Sequence, residues 1–298
     1  MARFTLKHIE AFVWVAELGT FRRAAERLGT TQPNISGRIA QLEAQLGVTL
    51  LDRDAGSVRL TPHGEALLPK ARDILAAVDR FVEATGEAAI VEGVLRLGVS
   101  EMVAHTFLRP FLVAMKERYP SVDVELTIDL SKNLSQALFE RDLDLVFQSG
   151  PFDRSARCTI PLGQSDYAWV AAPALAIPAH ELGLDEIAAH PVLTHARGTV
   201  PFQQLDQHFR DSGRRARLVP SSNLATCLQM ALDGLGIACL PEAMVTEALA
   251  EGRLRRLNYG WTPDALQFAA RYLIDPAPAY VREAAQLAQT LYPPDHKS

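Results

Sequence analysis

Between Thr31 and Arg38 the chain reads Thr-Gln-Pro-Asn-Ile-Ser-Gly-Arg. Carboxamides such as Gln32 and Asn34 pair with the major-groove edge of adenine, and a guanidinium such as Arg38 pairs with that of guanine. Thr31, Pro33 and Ser36 complete a polar helix start, whose free N–H groups hold phosphates. Arg22 and Arg53 add cations, the side-chain type best suited to phosphate. A second set of polar residues lies at the ends of apolar strands. Ser100 and Glu101 follow one, Ser131 and Asn133 the next, and Gln148 closes a third. His195, Arg197 and Thr199 follow a fourth, and Asn223 a fifth. In open α/β sheets such strand ends are where small molecules bind. Arg197 would take a carboxylate and Glu101 an ammonium group, which suits a carboxylate or a zwitterion as ligand, unless the two pair with each other across the cleft or lie on the surface. Several of these hydroxyls and amides, Ser131, Asn133 and Ser222 among them, equally suit helix N-caps.

Other chemistries find no support. The chain has no GxSxG, no P-loop and no HExxH, and Gly234-Leu235-Gly236 lacks the rest of a dinucleotide fingerprint. Asp142 and Asp144 alternate on a strand with no evident partner. His105 and His195 are isolated, so no metal and no cofactor is assigned, and no catalytic residue. Cys158, Cys227 and Cys239 lie far apart without a CxxC, which fits thiols of a reducing cytoplasm.

The first set needs a helix pair to present it, and residues 1–60 supply three short helices. Thr5 caps the first, with Phe4 and Ile9 as a hydrophobic staple and Gly19 as its end. Thr20 caps the second, from Phe21 to Leu28, whose Ala24 and Ala25 admit a close neighbour. Thr30 or Thr31 caps the third, Pro33 sits in its first turn, and Ile35, Ile39, Leu42 and Leu46 form its buried face. Two helices joined by a glycine turn, with a polar start to the second, make a helix-turn-helix. This segment carries eight cations against six acids, whereas the rest of the chain holds 22 basic and 29 acidic groups.

The stretch Phe12 through Ala16, Gly19-Thr20-Phe21, Ala24-Ala25-x-x-Leu28, Thr31-Gln32-Pro33-x-Ile35-Ser36, Ile39-x-x-Leu42-Glu43, Leu46-Gly47, Leu50, Arg53 and Leu60-Thr61-x-x-Gly64 resembles the N-terminal signature of LysR-type transcriptional regulators. It departs at Leu51, Thr20 and Gly37, the last costing the helix about 1 kcal/mol relative to alanine. The resemblance implies a winged helix-turn-helix over residues 1–61. The DNA contacts expected are Arg22, Thr31, Gln32, Pro33, Asn34, Ser36, Arg38 and Arg53.

From Thr61-Pro62 onward, Leu67, Ala71, Ile74, Val78, Phe81, Thr85 and Ala88 trace a heptad seam over residues 62–89, interrupted by Pro69. A helix that long spans about 40 Å and resembles the family's linker helix, which pairs with that of a second subunit. Beyond a hinge at residues 86–93 the pattern alternates strands and helices, with a helix expected over 107–118 and parallel sheets with helices on their faces. This part is similar to the family's effector-binding domain, a two-lobed α/β fold like type 2 periplasmic binding proteins. Lobe 1 would hold residues 92–165 and 266–298, and lobe 2 residues 166–265, of a domain spanning 90–298. The resemblance places effector contacts at Ser100, Ser131, Thr199 and Phe202.

The whole is then an α+β multidomain chain: a ligand-responsive, sequence-specific DNA-binding transcriptional regulator and not an enzyme. Its partners are a double-stranded DNA operator, a small-molecule effector and itself, as a dimer through the linker helix and a tetramer by family resemblance. RNA polymerase is a further candidate partner. The N terminus lacks an apolar leader and no apolar run reaches about 18 residues, so a bacterial cytoplasmic location away from membranes is expected. The competing reading is a cytoplasmic small-molecule-binding protein with a non-functional helix-turn-helix; the arginines of the first 60 residues count against it.

Overall fold

The computed structural model describes residues 4–54, 57–84, 91–273 and 278–291 of the 298. The N-terminal unit comprises α1 (Leu6–Leu18), α2 (Phe21–Arg27), α3 (Gln32–Leu46), a hairpin of β1 (Leu51–Asp54) and β2 (Ser57–Leu60), and α4 (Pro62–Glu83). Its boundaries follow from local chemistry. Gly19 and Gly47 end α1 and α3 in the left-handed region, at φ of 68° and 70°. The Thr20 hydroxyl accepts from Arg23 N at 3.2 Å to cap α2. Ile9 and Phe12 of α1, Ala24 and Ala25 of α2, and Ile35, Ile39 and Leu42 of α3 share one buried core, with Phe4 packed against it. Leu46, expected in that core, is 38% exposed, because it is the last residue of α3 before the chain leaves the helix.

The wing returns onto this core. Thr61 Oγ1 donates to Thr49 O at 2.7 Å and accepts from Gly64 N at 3.1 Å, which caps α4. Glycine is required at position 64, since a Cβ there would stand 2.1 Å from Leu50 O. Along α4 the seam divides. Leu67 and Ala71 pack into the N-terminal core, whereas Ile74 and Phe81 are 41% and 77% exposed. Pro69 lies inside the helix. The seam positions Thr85 and Ala88 fall outside the described helix: α4 ends at Glu83, and residues 85–90 lie outside the described residues.

The remaining elements are β3 (Gly93–Val99), α5 (Glu101–Thr106), α6 (Leu108–Arg118), β4 (Val122–Ile128), α7 (Ser131–Phe139), β5 (Leu145–Ser149), β6 (Cys158–Ser165), β7 (Tyr167–Ala171), α8 (Leu184–Ala188), β8 (Pro191–His195), α9 (Val200–Asp211), β9 (Arg217–Ser221), α10 (Leu224–Leu232), β10 (Ile237–Pro241), α11 (Glu242–Ala250), β11 (Arg255–Arg256), β12 (Leu266–Tyr272) and α12 (Ala279–Leu291). Two five-stranded sheets result, ordered β4-β3-β5-β12-β6 and β11-β7-β10-β8-β9. The chain leaves the first sheet after β6 and re-enters it as β12. The expected parallel sheets are in fact mixed. β12 runs antiparallel to β5 and β6, and β7 antiparallel to β10, because the strands that cross between lobes re-enter in the opposite sense. The helix expected over 107–118 is α6, starting one residue later at Leu108, and a further short helix, α5, precedes it, the two meeting at Phe107.

Candidate DNA-reading face and inter-lobe cleft

At the start of α3, Thr31, Gln32, Pro33 and Asn34 are all exposed, and Ser36 and Arg38 are half-buried. The opposite face holds Ile35 and Ile39, both fully buried. The polar start thus faces solvent on a helix anchored from behind, as a major-groove reader must. Asn34 Nδ2 donates to Thr30 Oγ1 at 3.1 Å, which fixes its amide. Arg22 is exposed and reaches Glu26 only at 3.9 Å. Arg53 lies on β1 opposite Val58 of the wing.

Two further cations of α2 are engaged elsewhere. Arg23 Nη2 donates to Asp142 at 2.7 Å and to Glu140 O. Arg27 pairs with Asp144, and both side chains are buried, at 7% and 2% exposure. The Arg27 guanidinium also lies 4.4 Å from the centre of the Trp14 ring. Asp144 accepts from Arg96 N at 2.9 Å, while Glu17 of α1 pairs with both Arg72 and Arg141. Asp142 and Asp144, partnerless in the sequence, therefore dock the first sheet of the C-terminal region onto α2. Neither had a local signal, since each partner lies more than a hundred residues away.

The ends of β3, β4 and β5 face those of β8 and β9 across a cleft of about 820 Å³. It is lined by nine of the ten residues expected to meet a ligand: Ser100, Glu101, Ser131, Asn133, Gln148, His195, Arg197, Thr199 and Asn223. The tenth, Phe202, is buried behind the wall, with the Arg197 guanidinium 5.2 Å from its ring centre. Ser100 is 7% exposed, and its hydroxyl has no hydrogen-bond partner. Its N–H donates to Phe147 O at 2.9 Å, which sets it beside Gln148. Ser131 does not cap α7, whose N-cap position is Leu130; its Oγ lies 2.9 Å from Ser149 Oγ and accepts from Ser149 N at 3.1 Å. Asn133 Nδ2 donates to Asp129 at 2.9 Å.

On the other wall, Thr199 and Asn223 cap α9 and α10, accepting from Phe202 N at 3.4 Å and Thr226 N at 2.7 Å. His195 Nε2 lies 2.8 Å from the Tyr167 hydroxyl, and burial holds its pKa down to about 4, so the ring is neutral near pH 7. Glu101 crosses the cleft. Its two carboxylate oxygens accept from Leu224 N at 2.6 Å and Ala225 N at 3.0 Å, the first N–H groups of α10. The carboxylate expected to take a ligand ammonium is thereby occupied by the protein itself. Sequence reasoning missed Lys132 and Arg154 along this cleft, and Arg271 beneath it. Arg271 is 0% exposed, and its one signal was a charge inside the apolar run Phe268-Ala-Ala-Arg-Tyr-Leu.

Cys227 and Cys239 are buried, Cys158 is partly so, and all three are free thiols. Burial pushes the Cys227 and Cys239 thiols up from their ordinary range. Among the described residues no cluster of three or more metal-ligating side chains occurs, and no helix is long and apolar enough to cross a membrane.

Comparison with known proteins supplies the family. The profile of the bacterial regulatory helix-turn-helix protein, lysR family, matches residues 6–65, and that of the LysR substrate binding domain matches residues 88–291. A probable hydrogen peroxide-inducible genes activator of Streptomyces viridosporus is 33% identical over 256 residues, covering 84% of this chain and 82% of that protein. One of the same description from Mycobacterium leprae is 32% identical, covering 80% and 78%. Among solved structures, a cysteine mutant of Corynebacterium glutamicum OxyR superposes with a TM-score of 0.58 at 26% identity, covering 97% of this chain and 93% of that one. CrgA of Neisseria meningitidis, described as a LysR-type transcriptional regulator, gives 0.56 at 27% identity, with 96% and 98% covered. An exposed reading helix, a two-lobed cleft and both family profiles thus converge: the chain belongs to the LysR family and is a ligand-responsive, DNA-binding transcriptional regulator.

Proposed function

We propose that the start of α3 reads operator bases through Gln32, Asn34, Ser36 and Arg38, while Arg22, Thr31, Pro33 and Arg53 position the phosphate backbone. The observation that carries this is the solvent exposure of that polar face on a helix whose other side is fully packed. Two subunits pair through α4, where Ile74 and Phe81 are exposed, and two such pairs make a tetramer in the bacterial cytoplasm. The unit over residues 1–61 binds DNA, residues 62–89 link, and residues 90–298 sense. The protein acts by binding alone, without a catalytic step, and RNA polymerase is a further partner at the promoter.

The effector occupies the cleft between lobes, against Ser100, Ser131, Gln148, Arg197 and Thr199. Its binding shifts the population of assembly states, so it must favour one of them. Gel-shift titration on the region upstream of its own and the neighbouring divergent gene tests both halves. Arg38→Ala weakens operator binding. Arg53→Ala weakens all DNA about equally and lowers the salt slope by roughly 1, the mark of one phosphate contact. Operator affinity unchanged in Arg38→Ala refutes the reading face.

A second stimulus is suggested by relatives described as hydrogen peroxide-inducible activators. The raised thiols of Cys227 and Cys239 disfavour it, since peroxide reacts with thiolate. Operator binding unaltered by hydrogen peroxide is the expected result. A peroxide response abolished by cysteine-to-serine substitution would favour the second stimulus instead.

A further inference from the structure

Arg271, on β12, is fully buried, yet among the described residues it faces no carboxylate. Its Nη2 donates to Arg154 O and its Nε has no partner, while its Nη1 meets the Gln148 carboxamide, which accepts from it at 2.8 Å only with the amide oxygen turned to the guanidinium. The rest of its surroundings are aromatic, with ring centres of Phe152 and Phe139 at 4.3 and 5.9 Å. Burial lowers its pKa from the ordinary arginine value, and among the described residues no neighbouring charge offsets that shift. A buried charge without a counter-charge is costly, and proteins keep one where something repays it.

What stands between Arg271 and the cleft is Gln148. With its oxygen turned to the guanidinium, its nitrogen faces outward and donates to Ser131 O at 3.3 Å, leaving a second amide proton. Beside it is the buried, unpartnered hydroxyl of Ser100. The floor therefore offers donors, backed by a positive charge that no described residue neutralises. The nearby carboxylates are otherwise committed: Glu101 to the start of α10, and Asp129 to Leu130 N and Asn133. Asp153 also lines the cleft. Met102, Ile128, Leu130, Val200 and Phe268 give the walls apolar surface, which suits an organic body rather than a bare inorganic ion.

We propose that Gln148 and Ser100 seat the carboxylate of an organic anion, and that Arg271 is its counter-charge, acting through Gln148 as a positioning residue. This rests on the reading of the cleft as an effector site. With Glu101 held by the start of α10, the seat asks for an anion and needs no ammonium group on the ligand.

The test uses the full-length protein, with acetate, hexanoate and benzoate as probes against the corresponding amides. Calorimetry should show wild type preferring each carboxylate to its amide by roughly tenfold or more, the scale of one nearby charge in a protein interior. Arg271→Met should reduce that ratio to about one. Gln148→Glu, which gives Arg271 a partner from the chain, should raise Tm and abolish carboxylate binding, and it carries the test if Arg271→Met does not fold. A lowered Tm in Gln148→Glu, equal binding of amides and carboxylates, no carboxylate binding by wild type, or a ratio kept in folded Arg271→Met would each overturn the seat. Carboxylates that bind with the predicted variant effects, yet leave operator affinity unchanged, would uphold the seat and refute the effector reading.

Discussion

Removal of the Glu101 carboxylate should release the start of α10. Leu224 N and Ala225 N belong to the first turn of that helix, where no intrahelical acceptor exists, and both donate to Glu101 from across the cleft. A hydrogen bond to a charged group contributes about 1.5–3 kcal/mol, and a carboxylate at a helix N-terminus adds up to about 1 kcal/mol. Glu101 is only partly buried, so solvent screening reduces the sum to about 2–3 kcal/mol for the pair. Glu101→Ala should then speed amide exchange at Leu224 and Ala225 by roughly 30- to 150-fold, with little change in the buried strands β8 and β10. Glu101→Gln, which retains one acceptor oxygen, should give an intermediate value. Exchange by mass spectrometry on the segment 222–228 measures this directly, and small-angle scattering should show a larger radius of gyration as the lobes part. Unchanged exchange at both amides in Glu101→Ala would refute the latch.

Three further outcomes follow from burial and sterics. His195 is held down to about 4 from an ordinary 6.5, so between those values the unfolded chain binds the extra proton. Stability should therefore fall as pH drops through that window, by up to about 3 kcal/mol from this group, and Tm measured against pH should be flatter there in His195→Gln. Asp144→Asn strands the buried Arg27 charge, a loss on the order of 3–5 kcal/mol to domain docking, visible as a shifted fluorine resonance of labelled Trp14; Asp142→Asn, at a pair whose carboxylate is 58% exposed, should cost less than about 1 kcal/mol. Gly64→Ala forces a methyl against Leu50 O and should lower urea stability of the N-terminal unit by at least about 1–3 kcal/mol; wild-type stability would show that the wing yields.

The helix-turn-helix was legible because its determinants are local. Capping residues, glycine ends and apolar spacing from Thr5 to Gly47 each act within a turn or two, and the helices stand where they point. β6 escaped notice because Pro161 and Gly163 break its alternation, and strand direction leaves no trace in periodicity at all. In the cleft, the rule that ligands gather at strand ends located nine residues, but it could not tell which were spoken for. Glu101 looked free and is not. Ser131 looked like a cap and instead holds Ser149. Phe202, placed by resemblance alone, lies behind the wall. Arg271 carries its meaning only through what fails to surround it, a property that no neighbouring residue in the chain announces.

β5 joins the clasp on the DNA-binding unit to the floor of the inter-lobe cleft. Asp144, which grips Arg27 of the DNA-binding unit, directly precedes it, and Gln148 is its fourth residue. At 3.3 Å per residue the two are about 13 Å apart along one extended backbone, pinned on both flanks by β3 and β12. Such a rod cannot slide without breaking its ladder. A pull at one tip is therefore shared through the ladder with β3 and β12 and is not absorbed by the strand alone.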